Sequence, residues 1–199
     1  MYQFIETICY NNGVFERIEL HNNRCNRTRN HFFGKLPTIH LESVLSIPGP
    51  LIDKKVKCTV NYGIELNNIE YSLYQIRQIK SLQLVYNDTL DYSFKFADRS
   101  KLQRLYDLKG KCDDILIVKD GFLIDSFYAN TIYLRDKRWY SHTIPLLFGT
   151  RLESYLKEGL ITSSPIRLSE LHLFKEVRII NAMISIEDSP IIPIEAILF

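Results

Sequence analysis

The stretch from Asp113 to Arg151, DDILIVKDGFLIDSFYANTIYLRDKRWYSHTIPLLFGTR, leaves the chain few options. Two apolar runs, Ile115 to Val118 and Phe122 to Ile124, flank the pair Asp120-Gly121. Such a pair accepts the positive φ angles of a tight hairpin turn, so these runs read as two antiparallel strands. Asp125 closes the second strand, and Asn130 opens a third, Thr131 to Leu134. Leu146-Leu147-Phe148-Gly149-Thr150-Arg151 then leads into a helix. A carboxylate at a strand end and a Gly-Thr helix start are a plausible pair of contacts for a ligand carrying a cationic ring and a phosphate.

Composition narrows the class. With 199 residues, 46% hydrophobic and 12% aromatic, the chain can bury one core or two small ones and is not disordered. A net charge of +2 gives no argument for a nucleic-acid partner. No apolar run approaches the roughly 20 residues of a membrane helix, and MYQFIETICY does not read as a signal peptide. Cys9, Cys25, Cys58 and Cys112 are widely spaced, as expected for reduced, buried thiols of a cytoplasmic protein. The five histidines lack ligand spacing, so no metal is expected.

Along the chain, Phe4 to Tyr10 and Val14 to Leu20 read as a hairpin around Asn11-Asn12-Gly13. A helix is expected over His21 to Phe33, stopped by Gly34, with Arg24, Arg27 and Arg29 on a solvated face. A short helix is expected at Leu41 to Leu45 and a loop at Pro48-Gly49-Pro50. Three strands follow, Lys55 to Tyr62, Ile69 to Ile76 and Ile79 to Tyr86, the first two joined through Asn67-Asn68. Asn87-Asp88 is the expected hinge between a small α+β domain, 1–87, and a larger domain, 88–199. A helix over Leu102 to Lys109, capped by Asp98 or Ser100, ends at Gly110. Thr150-Arg151-Leu152-Glu153 matches a capping box for a helix through Lys157, and Ser169 caps another through Phe174. Val177 to Met183 and Ile191 to Leu198 complete an α+β chain in two lobes.

Five places carry candidate chemistry, each with an ordinary alternative. Lys95, between Phe94 and Phe96, has the surroundings of a desolvated nucleophilic amine; it also reads as a surface lysine. Gly149-Thr150 offers N–H groups and the helix dipole to an anion, or is a plain helix cap. Asp125 can face a pyridine nitrogen, or serve as a turn aspartate. Arg24 is a candidate phosphate fork. At Asn181-Ala182-Met183 the small alanine permits close backbone approach to a ligand, or the strand simply ends there.

Taken in order, these signals resemble the class IV aminotransferase family, the fold-type IV pyridoxal-phosphate enzymes. Phe4-Ile5-Glu6-Thr7 resembles the opening Phe-Glu-Thr strand, and His21-Asn22-Asn23-Arg24 the His-x-x-Arg motif whose arginine binds the cofactor phosphate. Lys95, ahead of a helix ending in Gly110-Lys111-Cys112-Asp113-Asp114, resembles the Schiff-base lysine segment. Gly121 through Asn130 resembles the Gly-x-x-x-Glu…Asn stretch, and Gly149-Thr150-Arg151 the Gly-Ile-x-Arg phosphate loop. Within the family, Lys95-Phe96-Ala97-Asp98-Arg99 and Asn181-Ala182-Met183 are similar to the 4-amino-4-deoxychorismate lyases rather than to branched-chain or D-amino-acid aminotransferases. Asp125 departs from the family's glutamate, and the chain is shortened, with the loss expected between Leu36 and Asp91.

The resemblance implies a fold of the D-amino-acid aminotransferase type and pyridoxal 5'-phosphate held covalently by Lys95. Arg24, Gly149, Thr150, Asn181 and Ala182 would hold the phosphate, and Asp125, with Asn130 in the same motif, would serve the ring. It further implies a small-molecule amino substrate and a homodimer, with no nucleic-acid or membrane partner. Lyase and aminotransferase chemistry share their first half, so both stay open. So does a shortened, inactive family member that acts as a binding protein.

Overall fold

A computed structural model describes residues 2–199. The contacts divide the chain into two units: one runs to Gln75 and also takes in Phe94–Asp98, and the other comprises Ile76–Ser93 and Arg99–Phe199.

The first unit is a four-stranded antiparallel sheet carrying one long helix. Strands β1 (Phe4–Asn11) and β2 (Val14–Phe15) form the expected hairpin, with Asn12 and Gly13 at φ 50° and 82°. The second arm is only two residues long, because α1 (Ile18–Phe33) begins three residues ahead of His21. Gly34, at φ 81°, ends the helix and donates its N–H to Asn30 O. Strands β3 (Val56–Tyr62) and β4 (Leu66–Leu73) complete the sheet in the order β2-β1-β3-β4. Their turn lies at Gly63 to Glu65, where Gly63 N–H donates to Glu65 O; Asn67 and Asn68, expected to be the turn, lie within β4.

The solvated arginine face expected of α1 is corrected by the structure. His21, Arg24, Cys25, Thr28 and Arg29 recur at helical spacing and are all buried; of the three arginines only Arg27 is exposed. Arg29 is accommodated because its guanidinium donates to Ile64 O (3.0 and 2.7 Å), Pro37 O (2.8 Å) and Asn26 Oδ1 (2.9 Å). Beneath the helix, Phe4, Ile8, Leu41, Val56, Cys58, Val60 and Tyr62 form the apolar core.

The second unit holds a nine-stranded mixed sheet. In chain order come β5 (Leu82–Tyr86), α2 (Ser100–Tyr106), β6 (Asp114–Lys119), β7 (Phe122–Ser126), β8 (Asn130–Arg135) and β9 (Arg138–Ser141). Then come α3 (Thr150–Lys157), β10 (Ile161–Ser163), β11 (Glu176–Ile180), β12 (Ile192–Pro193) and β13 (Ile197–Leu198). The expected turn between β6 and β7 is present, with Asp120 and Gly121 at φ 51° and 78°. Strand β6 is buried on both faces between β5 and β7, which explains its unbroken apolar run. Strand β5 pairs in parallel with β6, from Leu82↔Asp114 to Tyr86↔Val118. The division by contacts therefore falls ahead of β5, at Gln75, and not at Asn87-Asp88.

Three further helix starts differ from expectation; that of α2 has Arg99, not Asp98 or Ser100, at its N-cap, with no side-chain cap. Gly149, not Thr150, occupies the N-cap of α3, and no side chain caps it; Glu153 instead pairs with Lys157 at 2.8 Å. The turn at Leu168–Leu173 is a 3-10 helix capped at Arg167, two residues before Ser169, with the Glu170 carboxylate accepting from Arg167 N–H. All four cysteines are buried and none forms a disulfide. Among the described residues no helix is long and apolar enough to cross a membrane, and no group of three or more His, Cys, Asp or Glu could hold a metal ion.

Candidate active site

Lys95 lies in the first unit, on the segment Phe94–Asp98. Its backbone is fixed against β1: Ile5 N–H donates to Lys95 O (3.0 Å), Ala97 N–H donates to Gln3 O (2.9 Å), and Phe96 bridges Phe4. Phe94 and Phe96 insert into an aromatic cluster, with ring centroids 4.9 Å (Phe94–Phe32) and 5.1 Å (Phe96–Phe4) apart. The alternation of the segment thus anchors two rings and leaves the lysine between them half-buried.

Arg24 belongs to the same unit and meets Glu6 of β1. Its Nε donates to Glu6 Oε1 at 2.8 Å and its Nη2 to Oε2 at 2.6 Å, a bidentate pair. His21 Nδ1 lies 2.6 Å from Glu6 Oε2, and both residues are fully buried. Burial alone would raise the Glu6 carboxyl, but the charge and fork of Arg24, with His21, outweigh it and bring it down to about 2. Burial lowers His21, against the opposing pull of Glu6. The resemblance gave Arg24 a phosphate; the structure adds a carboxylate partner that fixes one edge of its guanidinium.

The remaining candidates gather in the second unit. Asp125 and Asn130 face each other as the register pair joining β7 to β8. Asn130 Nδ2 donates to Asp125 Oδ1 (3.0 Å) and to Leu147 O (2.8 Å). Asp125 Oδ2 accepts from the N–H groups of Leu146 (2.8 Å) and Leu147 (3.3 Å). The two side chains thus grip the segment that delivers Gly149 to α3. A Cβ on Gly149 would overlap Asn130 Oδ1, so a side chain there must displace the Asn130 amide. Burial pushes Asp125 up to about 7, although hydrogen bonds from Asn130, Leu147, Leu146 and Thr131 pull the other way.

Helix α3 begins at this grip. Glu153 N–H donates to Gly149 O (2.9 Å) and closes the first helical turn, so the N–H groups ahead of it lie outside the helical ladder. Arg151, buried, donates through Nε to Asn181 O (2.8 Å) and through Nη2 to Ala182 O (3.0 Å). Asn181 Oδ1 accepts from Met183 N–H (2.8 Å) and Ile184 N–H (3.1 Å), holding the turn after β11 closed. Arg151 therefore brings the Gly149-Thr150 helix start and the Asn181-Ala182 turn together. Sequence reasoning quoted Arg151 within a motif but gave it no role. The same is true of Glu6 and His21; the Leu146 and Leu147 amides, which carry no side-chain signal, it missed.

No family model matches the chain. A Haemophilus influenzae protein of uncharacterized function is 36% identical over 185 residues, 92% of this chain and 98% of that protein. The crystal structure of a candidate 4-amino-4-deoxychorismate lyase from Haemophilus somnus superposes with a TM-score of 0.87 at 28% identity, over 92% of this chain and 97% of that one. A candidate amino-acid aminotransferase from Mesorhizobium loti gives 0.76 at 17% identity, over 97% and 98%, a likeness of fold alone. The chain shares the fold of the fold-type IV transaminases and of the candidate Haemophilus somnus lyase.

Proposed function

We propose that the protein binds pyridoxal 5'-phosphate and cleaves 4-amino-4-deoxychorismate to 4-aminobenzoate and pyruvate. The observation that carries this reading is the likeness to the candidate Haemophilus somnus lyase, at a TM-score of 0.87 over nearly the whole of both chains. Lys95-x-x-x-Arg99 and Asn181-Ala182-Met183 support the same branch. Length does not separate the two chemistries, since the chain also spans 98% of the candidate aminotransferase.

The residues present fit the cofactor. Gly149 is a position where a side chain must displace the Asn130 amide, at the positive end of a helix, beside a turn whose backbone Arg151 fixes. The start of α3 and the Asn181-Ala182 turn would hold the phosphate; that Arg24, oriented by Glu6 and His21, adds a contact is what the resemblance alone implies. When bound, the cofactor supplies an electron-accepting ring joined to the substrate nitrogen. Lys95 would hold it through Nζ, and the same amine would take the proton from the amine-bearing ring carbon of the substrate and return a proton to the departing three-carbon fragment. The ring C–O bond breaks with its electrons on oxygen, the carbocycle becomes aromatic, and pyruvate leaves; no external oxidant or reductant enters. A homodimer and a cytoplasmic location are part of the proposal, and light scattering in solution tests the former.

The test is incubation of cofactor-loaded protein with 4-amino-4-deoxychorismate and, separately, with L- and D-amino acids plus 2-oxoglutarate. Released 4-aminobenzoate supports the lyase, whereas keto-acid formation alone moves the assignment to an aminotransferase. Lys95→Ala is expected to lose the visible absorption of the loaded protein. A borohydride-trappable adduct in that variant would remove Lys95 from its role.

A further inference from the structure

Asp125 stands where the resemblance expects a carboxylate for the cofactor ring nitrogen, and its surroundings argue for a different task. A carboxylate has about four lone-pair sites. Around Asp125 three of them meet the Asn130 amide at 3.0 Å, the Leu146 N–H at 2.8 Å and the Leu147 N–H at 3.3 Å. All three donors come from its own unit, and Asp125 is 4% exposed. The side chain is also one methylene, about 1.5 Å, shorter than glutamate.

We infer that Asp125 is a positioning residue that clamps the segment leading to Gly149 and the start of α3, and that it does not contact the ring nitrogen of a bound cofactor. The phosphate half of this inference rests on the function proposed above; the clamp itself does not. Asn130 completes the device: the same amide nitrogen that meets Asp125 also holds Leu147 O, and its oxygen packs where a Gly149 side chain would stand. Two side chains on adjacent strand ends thereby set the distance from the sheet to the helix start. A glutamate at the same position would drive its carboxylate into the segment that Asp125 holds.

The experiment compares the parent full-length protein with Asp125→Asn, loaded with ring-15N pyridoxal phosphate, and reads two nuclei in one sample. The bound phosphate 31P resonance is expected to move, because the helix start shifts, while the ring 15N resonance stays in place. Amide exchange at Leu146 and Leu147, measured without cofactor, is expected to speed up by at least about tenfold, as for loss of a charge-assisted hydrogen bond. A displaced 15N resonance overturns the exclusion of ring contact. Unchanged exchange at Leu146 and Leu147 overturns the clamp, and an unmoved 31P resonance overturns its link to the phosphate. Failure of the parent to take up cofactor would defeat the proposed function, with the exchange measurement still deciding the clamp. Asp125→Glu supplies the exchange readout should the asparagine variant not fold, and parent-like exchange in it equally overturns the clamp.

Discussion

Gly149→Ala puts the helix-start geometry to its most direct test. The backbone there, φ −72° and ψ 142°, suits any residue, so strain does not enter. The cost is steric: the new Cβ overlaps Asn130 Oδ1 and lies 3.4 Å from its Cγ. Asn130 cannot swing aside without breaking the bonds from its Nδ2 to Asp125 Oδ1 and Leu147 O. Each buried hydrogen bond is worth about 1 kcal/mol, and a buried acceptor left unsatisfied costs about 1–3 kcal/mol. Alanine in place of glycine at an N-cap costs a further ~0.5–1 kcal/mol, largely offset by a similar loss of unfolded-chain entropy. The expected destabilisation is about 2–4 kcal/mol. Urea denaturation of the parent, Gly149→Ala, Asn130→Ala and the double variant measures it. Asn130→Ala removes the atom that collides, so the double variant should lose less than the sum of the singles by about 1–2 kcal/mol. A Gly149→Ala cost below about 0.5 kcal/mol, or strict additivity, would refute the packing argument.

Titration and the polar clasps give further checks. Asp125 rises from 3.8 to about 7 on folding, so the native state holds its proton more tightly and stability falls as pH climbs between those values. The fall is about 4 kcal/mol at most, and urea midpoints across that range should flatten in Asp125→Asn. Glu6 moves from 4.5 to about 2, so its contribution is complete above 4.5 and is lost as pH drops toward 2. Glu6→Gln should remove that acid limb and, by leaving the Arg24 charge buried without its carboxylate, cost about 3–5 kcal/mol at neutral pH in the same assay. Arg151→Ala strips the donors from Asn181 O and Ala182 O and should cost about 2–4 kcal/mol in a thermal melt. Arg151→Lys should recover little, because a single ammonium cannot span both carbonyls; a melt equal to the parent would contradict the fork.

The elements legible in the sequence were those encoded within a few residues. Asn12-Gly13 and Asp120-Gly121 announced their turns because positive φ is a local demand, and β6 announced itself as an unbroken apolar run. Helix α1 was legible from His21 onward but not in its first turn or its facing. Its buried stripe of His21, Arg24, Cys25, Thr28 and Arg29 is polar, and apolar periodicity alone turns such a face outward. What satisfies those residues lies elsewhere in the chain, in Glu6, Pro37 and Ile64.

The order of chemical residues, Lys95, then Asp125 and Asn130, then Gly149 and Thr150, then Asn181 and Ala182, was present in the sequence and sufficed to suggest the family. Only the tertiary structure decided which sheet received Leu82–Tyr86, what Arg151 grips, and that Asp125 accepts from Asn130 and the Leu146 and Leu147 amides. The reason is one of range. Turn and strand preferences act over neighbouring residues, whereas a backbone N–H or carbonyl looks alike at every position until folding sets a partner beside it.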